Sequence, residues 1–247
     1  MKFFRKITCI GLLLLTGTML FSGCSSENTD NSTFNKIKEE TLSDNISSVE
    51  VNWVDGTVNV LENNENNIHI VQAATANFKE KNAFSYEVNN GVLIITDNNR
   101  SAISSGTGNS EISIYLPPKI YDAINIQATS GTVKTESVQA DSISLDGSAA
   151  TFQIAGEFGN VRYAGVSGKL TLTCSTMPDA INVDANSGTV NITLPENNGF
   201  TLTSSATSGK IECEFPTSNM NGKLVYEDGS SQIDLKITSG SAKITKS

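Results

Sequence analysis

The sequence is poor in the side chains that most enzymes use for catalysis and for metal binding. Of its 247 residues, one is a histidine and four are cysteines. A Ser/His or Cys/His catalytic arrangement would have to include His69, yet the pattern Ile68-His69-Ile70 places that side chain on the outward face of a strand. A Gly-x-Ser-x-Gly elbow, a paired-histidine metal motif and a Cys-x-x-Cys pair are also missing. We therefore predict no catalytic residue, no metal site and no cofactor.

Basic residues are scarce, and this argues against polyanionic partners. The chain has 17 Lys and Arg against 26 Asp and Glu, a formal charge of −9. Removal of residues 1–23, which carry Lys2, Arg5 and Lys6, would leave 14 basic and 26 acidic residues, a charge of about −12. Phosphate backbones repel a chain this acidic, so nucleic acid is not an expected partner.

A long apolar run occurs near the N-terminus, from Ile7 to Leu15. A basic segment precedes this run and a small-residue site follows it, which is typical of a secretory signal and not of a spanning helix. The site, Leu20-Phe21-Ser22-Gly23-Cys24, resembles a bacterial lipoprotein signal, although Phe21 stands where that family usually has Leu. The resemblance implies a signal peptide over residues 1–23, lipid attachment at Cys24 and anchoring in the cell membrane on its extracytoplasmic side.

The segment that follows is polar. Residues 24–47 are rich in Ser, Asn, Thr, Asp and Glu, with few side chains to bury. Such a composition does not offset the entropy lost on ordering. We predict a flexible polar tether over residues 24–47 and a folded domain over residues 48–247.

The feature that recurs in the chain is a short phrase: Ser-Gly, one polar residue, then an apolar residue at every second position. The copies begin at Ser130, Ser167, Ser187, Ser208 and Ser239, and Asp55-Gly56 is a variant. The alternation predicts strands with one buried face. The spacing of about 20 residues between three successive copies is typical of a solenoid. We predict coils of about 20 residues, with two short strands each.

The residues after each glycine fall into inward and outward columns. The second position after glycine is apolar, and the fourth is apolar in all copies but one; these inward columns are Val58, Val133, Leu170, Val190, Ile211 and Ala242, then Val60, Thr135, Leu172, Ile192, Cys213 and Ile244. Before Pro118 the pattern is looser, and we interpret that part as irregular first coils of the same domain. Since no stretch has sustained helical spacing, the chain is predicted to be all-β.

Cys174 and Cys213 both belong to inward positions. With coils stacked in chain order, two coil steps of about 4.8 Å would separate them. A disulfide requires Cα atoms within about 7 Å. The sequence therefore favours two buried free thiols, with a disulfide as the alternative.

The repeated phrase, together with the Leu-Pro pair that precedes two of its copies and the lipoprotein leader, resembles a known family. The Leu-Pro pairs are Leu116-Pro117 and Leu194-Pro195. The family is one of bacterial β-strand-repeat domains of unknown function that are described as candidate adhesins. The resemblance covers roughly residues 47–246. It implies a right-handed, parallel β-helix-like solenoid on the outer side of the membrane, and it supplies no catalytic residue.

Three functions are compatible with these features. The first is a non-catalytic, adhesin-like module that binds a surface glycan or protein. The alternative is a cell-envelope accessory or stress-sensing scaffold that contacts a membrane protein. A remote alternative is a polysaccharide-active enzyme, which would need acidic pairs on one outward face. The candidates for such pairs lie near coil corners, where acidic residues commonly make turns: Asp141, Asp146, Asp179 and Asp184.

Overall fold

The described part of the chain folds mainly into strands, as the alternation predicts. The computed structural model describes residues 33–98 and 109–247, which belong to one compact unit. The strands are β1 (Asn35–Leu42), β2 (Ser48–Trp53), β3 (Thr57–Glu62), β4 (Ile68–Ala74), β5 (Ser85–Asn89), β6 (Val92–Thr96), β7 (Ser110–Leu116), β8 (Ile120–Tyr121), β9 (Ala123–Ala128), β10 (Thr132–Gly147), β11 (Thr151–Cys174), β12 (Ala180–Leu194), β13 (Phe200–Cys213), β14 (Ser218–Met220), β15 (Lys223–Tyr226) and β16 (Ser231–Lys246). A short 3₁₀ helix covers Glu80–Asn82. Among the described residues, no helix has the length and apolar character needed to cross a membrane.

These strands form one long mixed sheet. Its middle is parallel: β3, β10, β11, β12, β16 and β13 pair in that order. Antiparallel pairs occur toward both ends, where β4 pairs with β1 and β7, β5 pairs with β6, and β15 pairs with β13 and β14. The all-β prediction is therefore confirmed, and the sheet is mixed where the sequence predicted a parallel solenoid.

Glycines at the corners of successive coils lie directly against one another. A Cβ atom at Gly188 would lie 2.1 Å from the carbonyl oxygen of Gly168, and one at Gly240 would lie 2.1 Å from that of Gly188. Gly131 stands in the same relation to Gly56, also at 2.1 Å. Real Cβ atoms do not approach other heavy atoms so closely. The Ser-Gly phrase therefore recurs because a bare backbone is required where the coils meet at this corner.

The coils do not stack in chain order, and this corrects the order that the repeats suggest. Gly240 of β16 pairs with Gly188 on one side and with Gly209 on the other, so that β16 lies between β12 and β13. The early strands are also interleaved: β3 lies between β7 and β10, and β2 lies between β6 and β9. Because all coils share one inward and outward pattern, that pattern does not specify which coil is the neighbour of which.

The inward columns form the core, as predicted. Four residues of the second column, Val60, Leu172, Ile192 and Ile244, are fully buried. Thr135 is buried too, and its hydroxyl donates to the carbonyl of Ala155 and accepts from the amide of the same residue, both at 3.0 Å. A polar side chain is tolerated here because both of its hydrogen-bonding functions are satisfied.

Two members of the inward columns are only half-buried. Ile211 and Cys213 belong to β13, which pairs with β16 on one side and with β15 over residues 200–202 alone on the other. The equivalent residues of β16, Ala242 and Ile244, are at most 2% exposed. β13 is therefore the last coil of the parallel stack, although it is not the last in the sequence.

The predicted tether is wrong for its second half. Residues 35–42 form β1, which pairs antiparallel with β4. Leu42 and Ile46 are 7% and 1% exposed and belong to the hydrophobic core. Residues 35–42 are ordered although their composition is polar, because Leu42 and Ile46 are buried in the core and the backbone of β1 forms hydrogen bonds with the edge of β4. Residues 24–32 lie outside the described residues.

Both cysteines of the domain are free thiols. The observed stacking order places them farther apart than the sequence predicted. Cys174 is buried and Cys213 is half-buried. Three coil steps separate them, through β12 and β16, where the sequence predicted two. The larger separation removes the disulfide alternative for this arrangement.

Candidate binding groove

Outward side chains on one side of the stack line up in a row. The strands pair in register, so equivalent residues recur at the inter-strand spacing of about 4.8 Å. In spatial order, this row contains Thr96, Asn52, Gln127, Asp146, Ala164, Asp184, Lys236 and Ser205. We call it the groove row. It places hydroxyl, amide and carboxylate groups at regular steps along one surface.

A groove of about 660 Å³ lies beside this row, at a corner of the coils. Its floor is low because the inward positions there hold small residues, namely Ala128, Gly147 and Gly165. The space under the two glycines is occupied by aromatic rings: a Cβ atom at Gly147 would lie 2.6 Å from the ring of Phe152, and one at Gly165 would lie 2.3 Å from the hydroxyl of Tyr163. The sequence thus makes a hollow with a rigid floor.

The two aromatic rings below the floor pack against each other. Phe152 and Tyr163 meet edge to face, with ring centroids 5.7 Å apart. Both side chains are buried, and burial raises the pKa of the Tyr163 hydroxyl. Edge-to-face pairs of this kind hold ring positions more firmly than burial alone.

Charges in the groove are partly balanced. Arg162 donates to both carboxylate oxygens of Asp146, at 2.9 and 3.1 Å, and Lys236 donates to Asp184 at 3.1 Å. Asp97, a third carboxylate, is buried and accepts a hydrogen bond from the amide of Val54 at 3.2 Å. Neither Arg162 nor Lys236 lines the groove itself.

Trp53 lines the groove at its β2 end. It is the single tryptophan of the chain and is 3% exposed. Its indole Nε1 is buried and has no hydrogen-bond partner among the described residues. A buried N–H group without an acceptor carries an energetic cost, which makes this end of the groove unusual.

A second hollow of about 350 Å³ continues the same surface toward β13. It shares Asp184 with the groove and is also lined by Arg162, Asn182, Thr203 and Lys236. The polar surface therefore extends over the outward side of every coil from β6 to β13.

The residues that the sequence suggested for chemistry are placed as follows. Cys24 and the predicted signal peptide lie outside the described residues. His69 lies on β4 and pairs with Glu39 of β1, with 2.7 Å between Nε2 and Oε1. Hydrogen bonds from Lys36 and from His69 lower the pKa of Glu39. No other titratable side chain of the described residues is hydrogen-bonded to this histidine.

The four corner aspartates divide into two groups. Asp146 and Asp184 belong to the groove row and lie on strands, two coil steps apart, where the sequence predicted turn roles. Asp141 is also on a strand, whereas Asp179 precedes one; neither lines the groove. Within residues 33–98 and 109–247, no group of three or more His, Cys, Asp or Glu side chains is placed to hold a metal ion.

The groove itself was not predicted from the sequence. Parts of its row cross strands that are neighbours in space and not in the chain, such as β6, β2 and β9. An alignment of the second residue before each Ser-Gly phrase would have shown part of the signal, because Ala128, Gly165, Ala185 and Ala206 are small, although the fifth copy has Ile237 there. That alignment would have suggested a hollow at the corner, although not its length.

The fold is similar to that of solved bacterial proteins. A candidate cell adhesion protein from Clostridium sporogenes ATCC 15579 is 16% identical, with a TM-score of 0.50; the match covers 86% of this chain and 100% of that chain. A candidate adhesin from Bacteroides fragilis NCTC 9343 is 12% identical, with a TM-score of 0.48 and coverage of 85% and 96%. At these identities the likeness concerns the fold alone. No curated protein gives a significant match.

A sequence-family comparison covers residues 46–245. The model of the family described as Toastrack DUF4097 matches the chain twice, over residues 46–162 and 146–245. Together the two matches include the groove row and all the corner glycines of the Ser-Gly phrase.

Proposed function

The chain belongs to the Toastrack DUF4097 family, and from this premise we propose that it is a non-catalytic, adhesin-like binding module at the cell surface. We further propose that its stacked strands form a right-handed β-solenoid. A solved structure that shares this fold is described as a candidate cell adhesion protein, and this suggests the class of role to test.

The observation that carries the proposal is the groove. It is a hollow of about 660 Å³ lined by amide, carboxylate and hydroxyl groups, on a surface that continues into a second hollow. Its floor is fixed by buried aromatic rings, so it does not have to be reorganised before a ligand binds. A preformed polar hollow on a rigid sheet is suited to holding a ligand, and its carboxylates Asp146 and Asp184 are both engaged in ion pairs.

Membrane anchoring through Cys24 is part of the proposal. Two or more acyl chains give stable attachment, whereas a single chain gives marginal binding. Replacement Cys24→Ser should move the protein from the membrane fraction to the soluble or secreted fraction of the cells. Continued sedimentation of Cys24→Ser with membranes at high salt would contradict lipid anchoring.

The test of the binding role is crosslinking on intact cells with the full lipoprotein, followed by mass spectrometry of the partners. Recovery of surface glycan, matrix or foreign-cell protein supports the adhesin-like role. Recovery of one membrane protein of the same cell would replace it by the alternative function.

That alternative, an envelope accessory or stress-sensing scaffold, is favoured by a different observation. Within residues 33–98 and 109–247, no strand pairs with residues 203–213 on the side away from β16. An unpaired strand edge can accept an extended segment of another protein. Proline substitution at Lys210, an exposed residue of this edge that lines neither hollow, would reduce the recovery of such a partner and leave groove binding intact.

A further inference from the structure

We propose that the groove binds an extended, uncharged polysaccharide. This inference rests on the proposed binding function and specifies the ligand. The period, the chemistry and the charge of the groove row each support it.

The groove row has a regular period that suits a polymer. From Thr96 to Asp184 the row crosses five inter-strand steps, about 24 Å in total. A sugar residue in an extended β-linked glycan is about as long as one such step. Successive sugars can therefore meet successive coils in similar positions, which a ligand without this period cannot do.

The lining of the groove has the hydrogen-bonding capacity that sugars require. Asn52, Gln127 and Asn186 each offer amide donors and an acceptor, and Asp146 and Asp184 offer acceptors. Sugar hydroxyls donate and accept at the same oxygen and match such a mixture. Val166, which also lines the groove and is 57% exposed, offers an apolar surface for the C–H side of a sugar ring.

The charge of the groove favours a neutral ligand. The lining of the groove includes three carboxylates, from Asp97, Asp146 and Asp184, and among the described residues no lysine or arginine lines it. Arg162 and Lys236, which pair with Asp146 and Asp184, line the second hollow. A phosphate- or carboxylate-bearing polymer would face net repulsion there. Uncharged glycans avoid that cost, and this separates them from anionic wall polymers.

A peptide ligand fits the groove less well. Extended peptides are bound through backbone hydrogen bonds at a strand edge. The groove lies on the side of paired strands, whose backbone groups already bond their neighbours. The groove therefore offers side-chain hydrogen-bonding groups and not free backbone groups. Such side chains suit the hydroxyl groups of a sugar better than the backbone of a peptide.

Trp53 provides both a second observation and a reporter. Its buried Nε1 has no acceptor among the described residues, and the side chain lines the end of the groove. Since the chain has one tryptophan, its fluorescence reports on this site alone.

The test is a fluorescence and calorimetric titration of the purified full chain. The probes are cellohexaose and an N-acetylglucosamine hexamer, with hexagalacturonate as the anionic control. We expect the uncharged hexasaccharides to change Trp53 emission saturably, and hexagalacturonate to leave it unchanged. Chromatography of the recovered hexasaccharides, which should be intact, separates binding from cleavage.

Matched variants locate the site. Ala164→Tyr fills the centre of the groove and should weaken binding at least about tenfold, and Gln127→Ala should weaken it roughly three- to tenfold. Gln153→Ala makes the same change on an outward position away from the groove and should have no effect. If Ala164→Tyr does not fold, Gln127→Ala and Gln153→Ala still decide the outcome.

Absence of binding by both uncharged probes to the folded chain would overturn the inference, as would tighter binding of hexagalacturonate or equal effects of Gln127→Ala and Gln153→Ala. None of these results would overturn the adhesin-like role by itself. That role fails separately, if crosslinking on cells recovers a membrane protein of the same cell and no surface ligand.

Discussion

At the scale of single residues, the glycines of the Ser-Gly phrase are explained by contact and not by turn propensity alone. Gly188 has φ of +140°, and the position where its Cβ would stand is occupied by the carbonyl of Gly168. The contact involves backbone on both sides, so no side-chain movement can relieve it. A side chain at this corner would force two coils apart.

Replacement Gly188→Ala should therefore lower the free energy of unfolding by at least about 2 kcal/mol. Gly222→Ala is the matched control, because Gly222 also has positive φ (+82°) but has no heavy atom within 4 Å of the position that a Cβ would take. The Gly222→Ala control should lower the free energy of unfolding by about 1 kcal/mol, the cost of placing alanine at a positive φ. Chemical denaturation measures both, and equal losses would refute the contact.

Cys174 makes stability sensitive to alkaline pH. Burial raises the pKa of this thiol from 9.0 to about 12. Because the folded pKa is the higher one, the contribution is fully present below pH 9 and is lost as the pH rises toward 12. Burial also raises the pKa values of Tyr121 and Tyr163, which act in the same direction.

The free energy of unfolding should accordingly fall as the pH rises from about 9 toward about 12, as measured by denaturant titration. Cys174→Val, which removes the titrating group and keeps an apolar side chain, should lose less over the same range. Parallel losses in the two proteins would show that the thiol does not contribute.

At the scale of elements, the placement of β16 between β12 and β13 is the feature that most changes the interpretation of the repeats. It brings Asn191 of β12 next to Lys243 of β16, whereas Glu212 of β13 lies one coil farther away. In chain order, Glu212 would have been the neighbour of Asn191. Engineered disulfides can distinguish these two arrangements.

In a background without Cys174 and Cys213, the pair Asn191→Cys and Lys243→Cys should oxidise to a disulfide. The control pair Asn191→Cys and Glu212→Cys should remain reduced, because about 9.5 Å separates strands two steps apart. Gel mobility after mild oxidation, followed by mass spectrometry of the peptides, measures both. Disulfide formation by the control pair would instead indicate that the coils stack in chain order.

At the scale of the whole described domain, one continuous hydrophobic core connects the interleaved coils. Leu172 and Ile192 are fully buried within it and adjacent in register. A charge at either position has no partner to compensate it. We therefore expect damage at one coil to affect the whole domain.

Leu172→Asp should abolish cooperative folding, since an unpaired buried charge costs at least several kcal/mol. Thr173→Asp, one residue farther along the same strand and exposed, should change stability by less than about 0.5 kcal/mol. Thermal unfolding followed by circular dichroism provides the comparison. Similar melting of both variants would mean that the inward and outward positions are assigned wrongly.

The small residues under the groove could be predicted from single coils, but the set of residues that come together in the groove could not. Asp146 and Asp184 looked like turn residues because each lies near a Ser or Gly cluster, and side-chain direction in a strand is settled by its partners. Gln127 and Asn52 are far apart in sequence, and they meet because β2 pairs with β9. No local pattern specifies that pairing.

The sequence by itself determined the strand content, the alternation of buried and exposed residues, and the corners, because these depend on a period of two and on glycine within a few residues of chain. The tertiary structure decided which coils are neighbours, where the stack ends, that residues 35–42 join the sheet, and that a groove row exists. Those features depend on pairing between segments with nearly identical patterns, and a repeated pattern cannot distinguish among its own copies.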